Sequence, residues 1–483
     1  MNDDREHDEA PAPPTGMRQG LTSYGDAGFS LFLRKAFIKG AGLSDTALER
    51  PVIGIAATGS AYNPCHGNAP QLVEALKRGV MLAGGLPMEF PTISLHESFA
   101  APTSMVLRNL MSMDTEEMIR AQPMDAVVLV GGCDKTVPAQ LMGAASADRP
   151  AIQLLAGPMM PTSFHGERLG ACTDCRRFWA KYRAGEISDE GIRDVEGNLA
   201  TTAGTCAVMG TASTMACIAE ALGMALPDSA AIPAVHADRL RAAEASGERA
   251  VALAAERLTP SAIITAASVR NALRVLLAIG GSTNAIVHLT AVAGRRGIAI
   301  SLHELNRLSD QTPVLVDLKP TGQHYMQDFH AAGGMQALLH ELKDLLELDC
   351  MTVTGRTLRQ RLEPGPRWVD RAVIRAIDNP FQGSGGLAAL FGSLAPRGAV
   401  IKRSAADERL FEREGRAVVF ESLEDLSARI DHPDLDVAPD DFLVLKNAGP
   451  CSASGMPEAG YLPIPKKLAQ NGIKDMVRIS DAR

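Results

Sequence analysis

Three cysteines of this 483-residue chain stand in loop-like settings where a sulfur can do chemistry. Cys65 lies in YNPCHGN, a turn flanked by proline and glycine; Cys133 lies in GGCDKT; Cys206 lies in AGTCAVMGTAST, a glycine-punctuated turn before a helix. Backbone N–H groups are free in such loops, and they stabilise thiolates and the sulfurs of a cluster. Three such positions without a fourth equivalent point to an iron-sulfur cluster with one iron left open, or to a zinc site with an open position. The alternative is the inert buried thiol. It suits Cys217, on the apolar part of a helix, and Cys350 in ELDCMTV. Cys172 and Cys175 form a CxxC in GACTDCRRFW, with no second pair and no thioredoxin-like pattern around them, so they receive no role.

Glu97 in ISLHESFA, Asp134 beside Cys133, and Glu458 in GPCSASGMPEAG are acids in glycine-, serine- or proline-rich surroundings. Oxygen donors from separate loops are how an octahedral Mg²⁺ site is assembled, although each acid alone reads equally well as a cap or a solvated carboxylate. Lys135 is odder. An ammonium cannot ligate a cation, so beside a metal it must lose its proton, be modified, or contact a phosphate or carboxylate. GGSTNAIVHL (280–289), VDLKPTG (316–322), GQHYMQDFHAAGG (322–334), DNPFQGSGGL (378–387) and LKNAGP (445–450) are also punctuated, but none has nucleotide-loop spacing.

The elements that must position these residues alternate strand and helix from about residue 50. PVIGIA (51–56), DAVVLV (125–130) and AIQLLAG (151–157) read as buried strands ending in small or glycine-rich turns. A helix is expected from Pro70, with Leu72, Val73, Leu76 and Val80 on one face and Gly84-Gly85 as its stop, and another from Thr214, closed by Gly223. Further helices are expected through 236–310. Strands separated by helices imply a mainly parallel sheet covered on both faces, and ligands then sit at the strand ends that carry Cys65 and Cys133.

The texture changes at EPGPRW (363–368), which reads as a linker. GAVIK, RAVVF, DFLVLK and DMVRIS follow as four β-like runs, with ESLEDLSARI the one strong helix among them. We therefore expect residues 1–20 as a disordered arm, 21–365 as a large α/β/α domain, and 370–483 as a smaller β-rich, barrel-like domain. The formal charge of −8 argues against a nucleic-acid or anionic membrane partner and leaves small molecules. No run of 18 apolar residues occurs, and the acidic, proline-rich start is unlike a signal peptide, so a cytoplasmic protein is expected.

YNPCHGN, GGCDKTVPAQLMGA, GTCAVMGTASTM, GGSTNAIVHL, DLKPTG, and KNAGP followed by GMPE together resemble the dihydroxy-acid and sugar-acid dehydratase family, in order from about Leu21 to Arg483. LTSYGDAGFSLFLRKAFIKGAG and ACTDCRRFW look more like the aldonate dehydratases of that family than its branched-chain biosynthetic enzyme, which with phosphogluconate-type dehydratases is the alternative within it. The resemblance implies a hydro-lyase that converts a 2,3-dihydroxy acid to a 2-keto-3-deoxy acid. It implies a [2Fe-2S] cluster on Cys65, Cys133 and Cys206, and Mg²⁺ held by Glu97, Asp134, carbamylated Lys135 and Glu458. It also implies a homodimer or homotetramer. The family's base is a serine just after an ISDAR-like strand; here the chain stops at Arg483, and Ser480 is not the matching residue. The expectation is therefore a C-terminally truncated chain with an incomplete second domain. Two readings of other classes stand beside it. An electron-transfer iron-sulfur protein would need four compactly spaced cysteines, and an inactive cluster-binding protein would load iron without turnover.

Overall fold

The computed structural model describes residues 14–21, 24–458 and 462–483. Its central sheet has four parallel strands, β1 (Val52–Ala57), β2 (Leu86–Pro91), β3 (Ala126–Gly131) and β4 (Ala151–Leu155), in the order β2-β1-β3-β4. All residues of β3 and β4 are buried, as the unbroken apolar runs require when helices cover both sheet faces. Strand order reverses between β1 and β3: the chain leaves β1 toward β2 and leaves β3 toward β4. At such a switch point the outgoing loops part and open a crevice beyond the carboxyl ends of the strands.

The expected helix at Pro70 runs Ala69–Leu82 and buries Leu72, Val73, Leu76 and Val80. It lies against Ala237–Glu256 at two facing glycines: a Cβ on Gly79 would stand 1.9 Å from Glu244 O, and one on Gly247 would stand 2.4 Å from Leu76 O. The helix expected from Thr214 begins earlier, at Thr211, and ends at Ala221. Gly210 is extended and forms its boundary, and Ala212, Ser213 and Thr214 of the polar start TAST are buried with the rest, while Thr211 is partly exposed. Helices follow at Ala266–Ala278, Asn284–Gly294 and Leu302–Gln311.

Part of the expected arm is ordered. Residues 1–13 lie outside the described residues, but residues 14–20 are packed onto the sheet. Gly16 N donates to the Asp125 carboxylate at 3.0 Å, and Arg34 Nη1 donates to Met17 O at 2.7 Å. Asp125 also accepts from Val52 N at 2.7 Å, so one carboxylate ties this segment to the start of β1.

A short hairpin, β5 (Thr162–Phe164) with β6 (Glu167–Leu169), precedes the helix Thr173–Ala184. Beyond residue 370 an antiparallel pair, β7 (Ala388–Leu390) with β8 (Ala399–Ile401), is followed by a three-stranded parallel sheet. That sheet comprises β9 (Ala417–Phe420), β10 (Phe442–Leu445) and β11 (Arg478–Ser480), ordered β11-β10-β9. Each of the four β-like runs contributes one of these strands, and ESLEDLSARI forms the helix Leu423–Arg429. Val418, Phe420, Leu426, Leu443, Leu445 and Leu462 give this smaller, strand-containing region its own core. Among the described residues no helix is long and apolar enough to cross a membrane.

Candidate active site

Cys65 follows β1 and Cys133 follows β3, so the two adjacent strands at the switch point each deliver one thiol. His66, which is fully buried, holds the two loops in register. Its Nδ1 lies 2.8 Å from Thr58 O and therefore donates, which leaves Nε2 to accept from Gly132 N at 2.8 Å and Cys133 N at 3.1 Å. Burial pushes His66 down to about 4, in keeping with the neutral ring that this pattern demands.

The Cys65 and Cys133 thiols and a His96 ring nitrogen form a group whose ligand atoms all lie within 4.8 Å, and Cys133 Sγ donates to Asp134 Oδ1 at 3.3 Å. The neighbouring Cys133 thiol draws the Cys65 thiol down to about 6 against the effect of burial, while Cys133 is pushed up by Cys65 and by burial. Cys206 enters from the turn before Thr211–Ala221, close enough for the charge on Cys65 to raise it. Cys172 packs with it against the same cluster of Met159, Ala207, Val208 and Tyr325, and Ala207 N donates to Ala171 O at 2.7 Å.

The acids meet at the same loop. Lys135 is fully buried, ion-paired with Asp134 and 3.4 Å from the Glu97 carboxylate. Burial works to raise Asp134, but the charge and hydrogen bond of Lys135 outweigh it and hold the carboxyl down at about 2. Glu97 is lowered despite burial, by Lys135, by a bond from Ser104 Oγ, and by Arg483. Glu458 arrives from the C-terminal region; Arg483 Nη1 donates to its Oε1 at 2.8 Å and Asn284 Nδ2 at 3.3 Å. Burial and the charge of Asp134 push Glu458 up. Three carboxylates thus converge among the cationic side chains of Lys135, Arg483 and, 3.7 Å from Glu458, Arg176; the carboxylates are the donor set of a hard divalent ion.

All seven expected site residues come together at this crevice. Sequence reasoning passed over His66, although it stands inside YNPCHGN, and over Asn284 in GGSTNAIVHL and Arg483. It also missed a buried clamp. Asp174 accepts from Gly170 N at 2.9 Å, Tyr325 Oη at 2.8 Å and Lys319 Nζ at 3.2 Å, which gives DLKPTG a structural role behind the cysteines.

Two family models cover the chain: "Dihydroxy-acid/6-phosphogluconate dehydratase N-terminal" matches residues 50–361 and the corresponding C-terminal model matches 372–483. The chain belongs to this dehydratase family. An L-arabonate dehydratase of Azospirillum brasilense is 47% identical over 94% of this chain and 78% of its own length. A 6-deoxy-6-sulfo-D-gluconate dehydratase of Pseudomonas putida is 44% identical over 90% of this chain and 76% of its own. A dihydroxy-acid dehydratase of Caldanaerobacter subterraneus is 39% identical over 92% and 80%. The dehydratase is a hydro-lyase, and its thiol and carboxylate groups lie where α/β sheets bind ligands.

Proposed function

We propose that this dehydratase removes water from a 2,3-dihydroxy sugar acid to give a 2-keto-3-deoxy acid. In this reading Cys65, Cys133 and Cys206 hold a [2Fe-2S] cluster, and Glu97, Asp134, Lys135 and Glu458 hold Mg²⁺. The observation that carries it is the meeting of the thiols and the carboxylates at the single loop Cys133-Asp134-Lys135, with Cys65 beside Cys133 and Glu97 beside Lys135. The sugar-acid substrate class rests on the arabonate and sulfogluconate relatives.

The residues present fit both groups. Thiols buried among loop N–H groups suit a cluster, and carboxylates already facing cationic side chains suit a divalent ion. When bound, the two groups supply Lewis acidity, the iron to a leaving hydroxyl and Mg²⁺ to the carboxylate whose second negative charge develops as the α-proton leaves. The protein fixes their spacing, because Cys133, Asp134 and Lys135 are consecutive. His66 keeps that loop from shifting by occupying two of its backbone N–H groups. Lys135 becomes an oxygen ligand if its neutral amine adds CO₂, losing one N–H proton as the N–C bond forms. Its ion pairs with Asp134 and Glu97 place Nζ among the other ligands.

Anaerobic purification with iron, sulfide and magnesium quantitation, followed by keto-acid assay on aldonates and on branched-chain dihydroxy acids, tests this. Cys206→Ser should bleach the iron-sulfur absorbance, while Glu458→Gln should keep the absorbance and lose turnover. Soluble protein without any such absorbance refutes the cluster reading, and turnover confined to branched-chain substrates refutes the sugar-acid reading.

A further inference from the structure

The CxxC without a sequence-derived role sits against the thiols of the site. Cys172 and Cys206 pack against the same small cluster of Met159, Ala207, Val208 and Tyr325, their neighbours are joined by Ala207 N donating to Ala171 O at 2.7 Å, and Cys175 Sγ donates to the Cys172 backbone carbonyl. The four cysteines at the crevice therefore fall into two neighbouring pairs, Cys65 with Cys133 and Cys206 with Cys172. Two thiolates per iron is the ligand count that saturates a [2Fe-2S] cluster. The pairs differ in setting: Cys65 and Cys133 are buried residues, whereas Cys172 and Cys206 lie nearer the surface and are part-exposed.

Cys172 is also held in place. The Asp174 clamp fixes the start of its helix to Lys319 and Tyr325. The same 319–326 segment pins the turn carrying Cys206, with Met209 N donating to Lys319 O at 2.9 Å and Met326 N to Ala207 O at 2.8 Å. One loop thus sets the separation of both sulfurs.

Resting on the cluster reading above, we propose that Cys172 is a fourth, displaceable thiolate ligand that closes the open iron until substrate takes its position. On closing, Cys172 Sγ–H gives its proton to solvent, a sulfur–iron bond forms and a solvent ligand leaves; no electron is transferred. A substrate hydroxyl reverses the exchange, and the released thiolate regains a proton. The closed state keeps water and dioxygen from an iron that three thiolates alone leave accessible.

The test is electron paramagnetic resonance of the reduced, cluster-loaded full chain in water enriched in ¹⁷O, without substrate. Wild type should show no ¹⁷O broadening. Cys172→Ala should retain two irons per chain and gain broadening, and aldonate added to wild type should shift its g-values toward those of the variant. Cys172→Ser keeps an oxygen at the position, and it should move the g-values even if the alanine variant fails to fold. Broadening in substrate-free wild type overturns the proposal, as does a Cys172→Ala spectrum identical to wild type, which would leave Cys172 as a packing residue only. Either result leaves the three-cysteine cluster standing; wild type that binds no iron removes the cluster reading itself.

Discussion

His66 does its work through a tautomer rather than through charge. Replacing it by leucine preserves much of the volume but strands Thr58 O, Gly132 N and Cys133 N in a buried setting. At about 1–3 kcal/mol for each unsatisfied group, His66→Leu should cost at least about 3 kcal/mol in urea unfolding. A loss under about 1 kcal/mol would mean that the loops do not depend on it. Asp174 is a parallel case, a buried carboxylate with a lysine, an arginine, a tyrosine and a backbone N–H on it. Asp174→Ala should cost about 3 kcal/mol or more, because Lys319 loses its counter-ion, whereas Tyr325→Phe removes one neutral donor and should cost about 1 kcal/mol. Equal losses from the two variants would refute the ionic account. The site's thiols and acids were legible in sequence because unusual residue types in glycine-rich loops advertise chemistry. Asp174 was not, because a carboxylate one residue from a cysteine in CTDC carries no sign of partners that lie about 150 residues downstream.

At the scale of elements, the strands were readable because both faces of β1, β3 and β4 are covered, which leaves unbroken apolar runs. The helix Ala69–Leu82 was readable from its spacing, but what it packs on was not, since Gly79 looks like a flaw in a helix until Gly247 is seen across from it. Their contact brings two helix backbones closer than any side chain permits. Gly79→Ala should therefore destabilise by at least about 3 kcal/mol, since the obstacle is backbone and cannot rotate away. Gly197, within the helix Asp189–Leu199, has nothing within 4 Å of an added Cβ. Gly197→Ala should be neutral or stabilising by up to about 1 kcal/mol. Thermal melts of the pair check this; similar losses in both would show that helix propensity, not close approach, governs. The early start of Thr211–Ala221 has a related cause. TAST looks polar in sequence, yet Thr214 Oγ1 accepts from Ser282 N at 3.1 Å, so its hydroxyls are satisfied inside the protein rather than by water.

For the whole molecule, the carboxylate side of the site joins regions far apart in the chain. Glu97 and Asp134 come from the central sheet, whereas Glu458 and Arg483 come from the C-terminal region. Arg183 adds a two-pronged bridge to Asp431, both contacts at 2.7 Å, between the helix Thr173–Ala184 and the smaller region. A divalent ion bound by carboxylates from both regions binds only when the two are assembled, so its binding energy becomes stability of the assembled chain. Saturation at one hundred times the dissociation constant is worth about 2.7 kcal/mol. Titrating Mg²⁺ at constant ionic strength into metal-free, cluster-loaded protein should accordingly raise its melting temperature, and chelation should reverse the rise. Glu458→Gln removes the ligand that spans the two regions and should abolish most of the response while leaving the cluster absorbance intact. Asp431→Ala removes the Arg183 bridge and the bond that Asp431 Oδ1 accepts from Lys466 N at 2.9 Å, neither of which touches the carboxylate cluster; it should cost about 1–2 kcal/mol of starting stability and keep the full response to Mg²⁺. A wild-type melting temperature indifferent to Mg²⁺, or a Glu458→Gln variant that responds as fully as wild type, would show that the carboxylates are a structural ion network held by Lys135 and Arg483 and not a metal site.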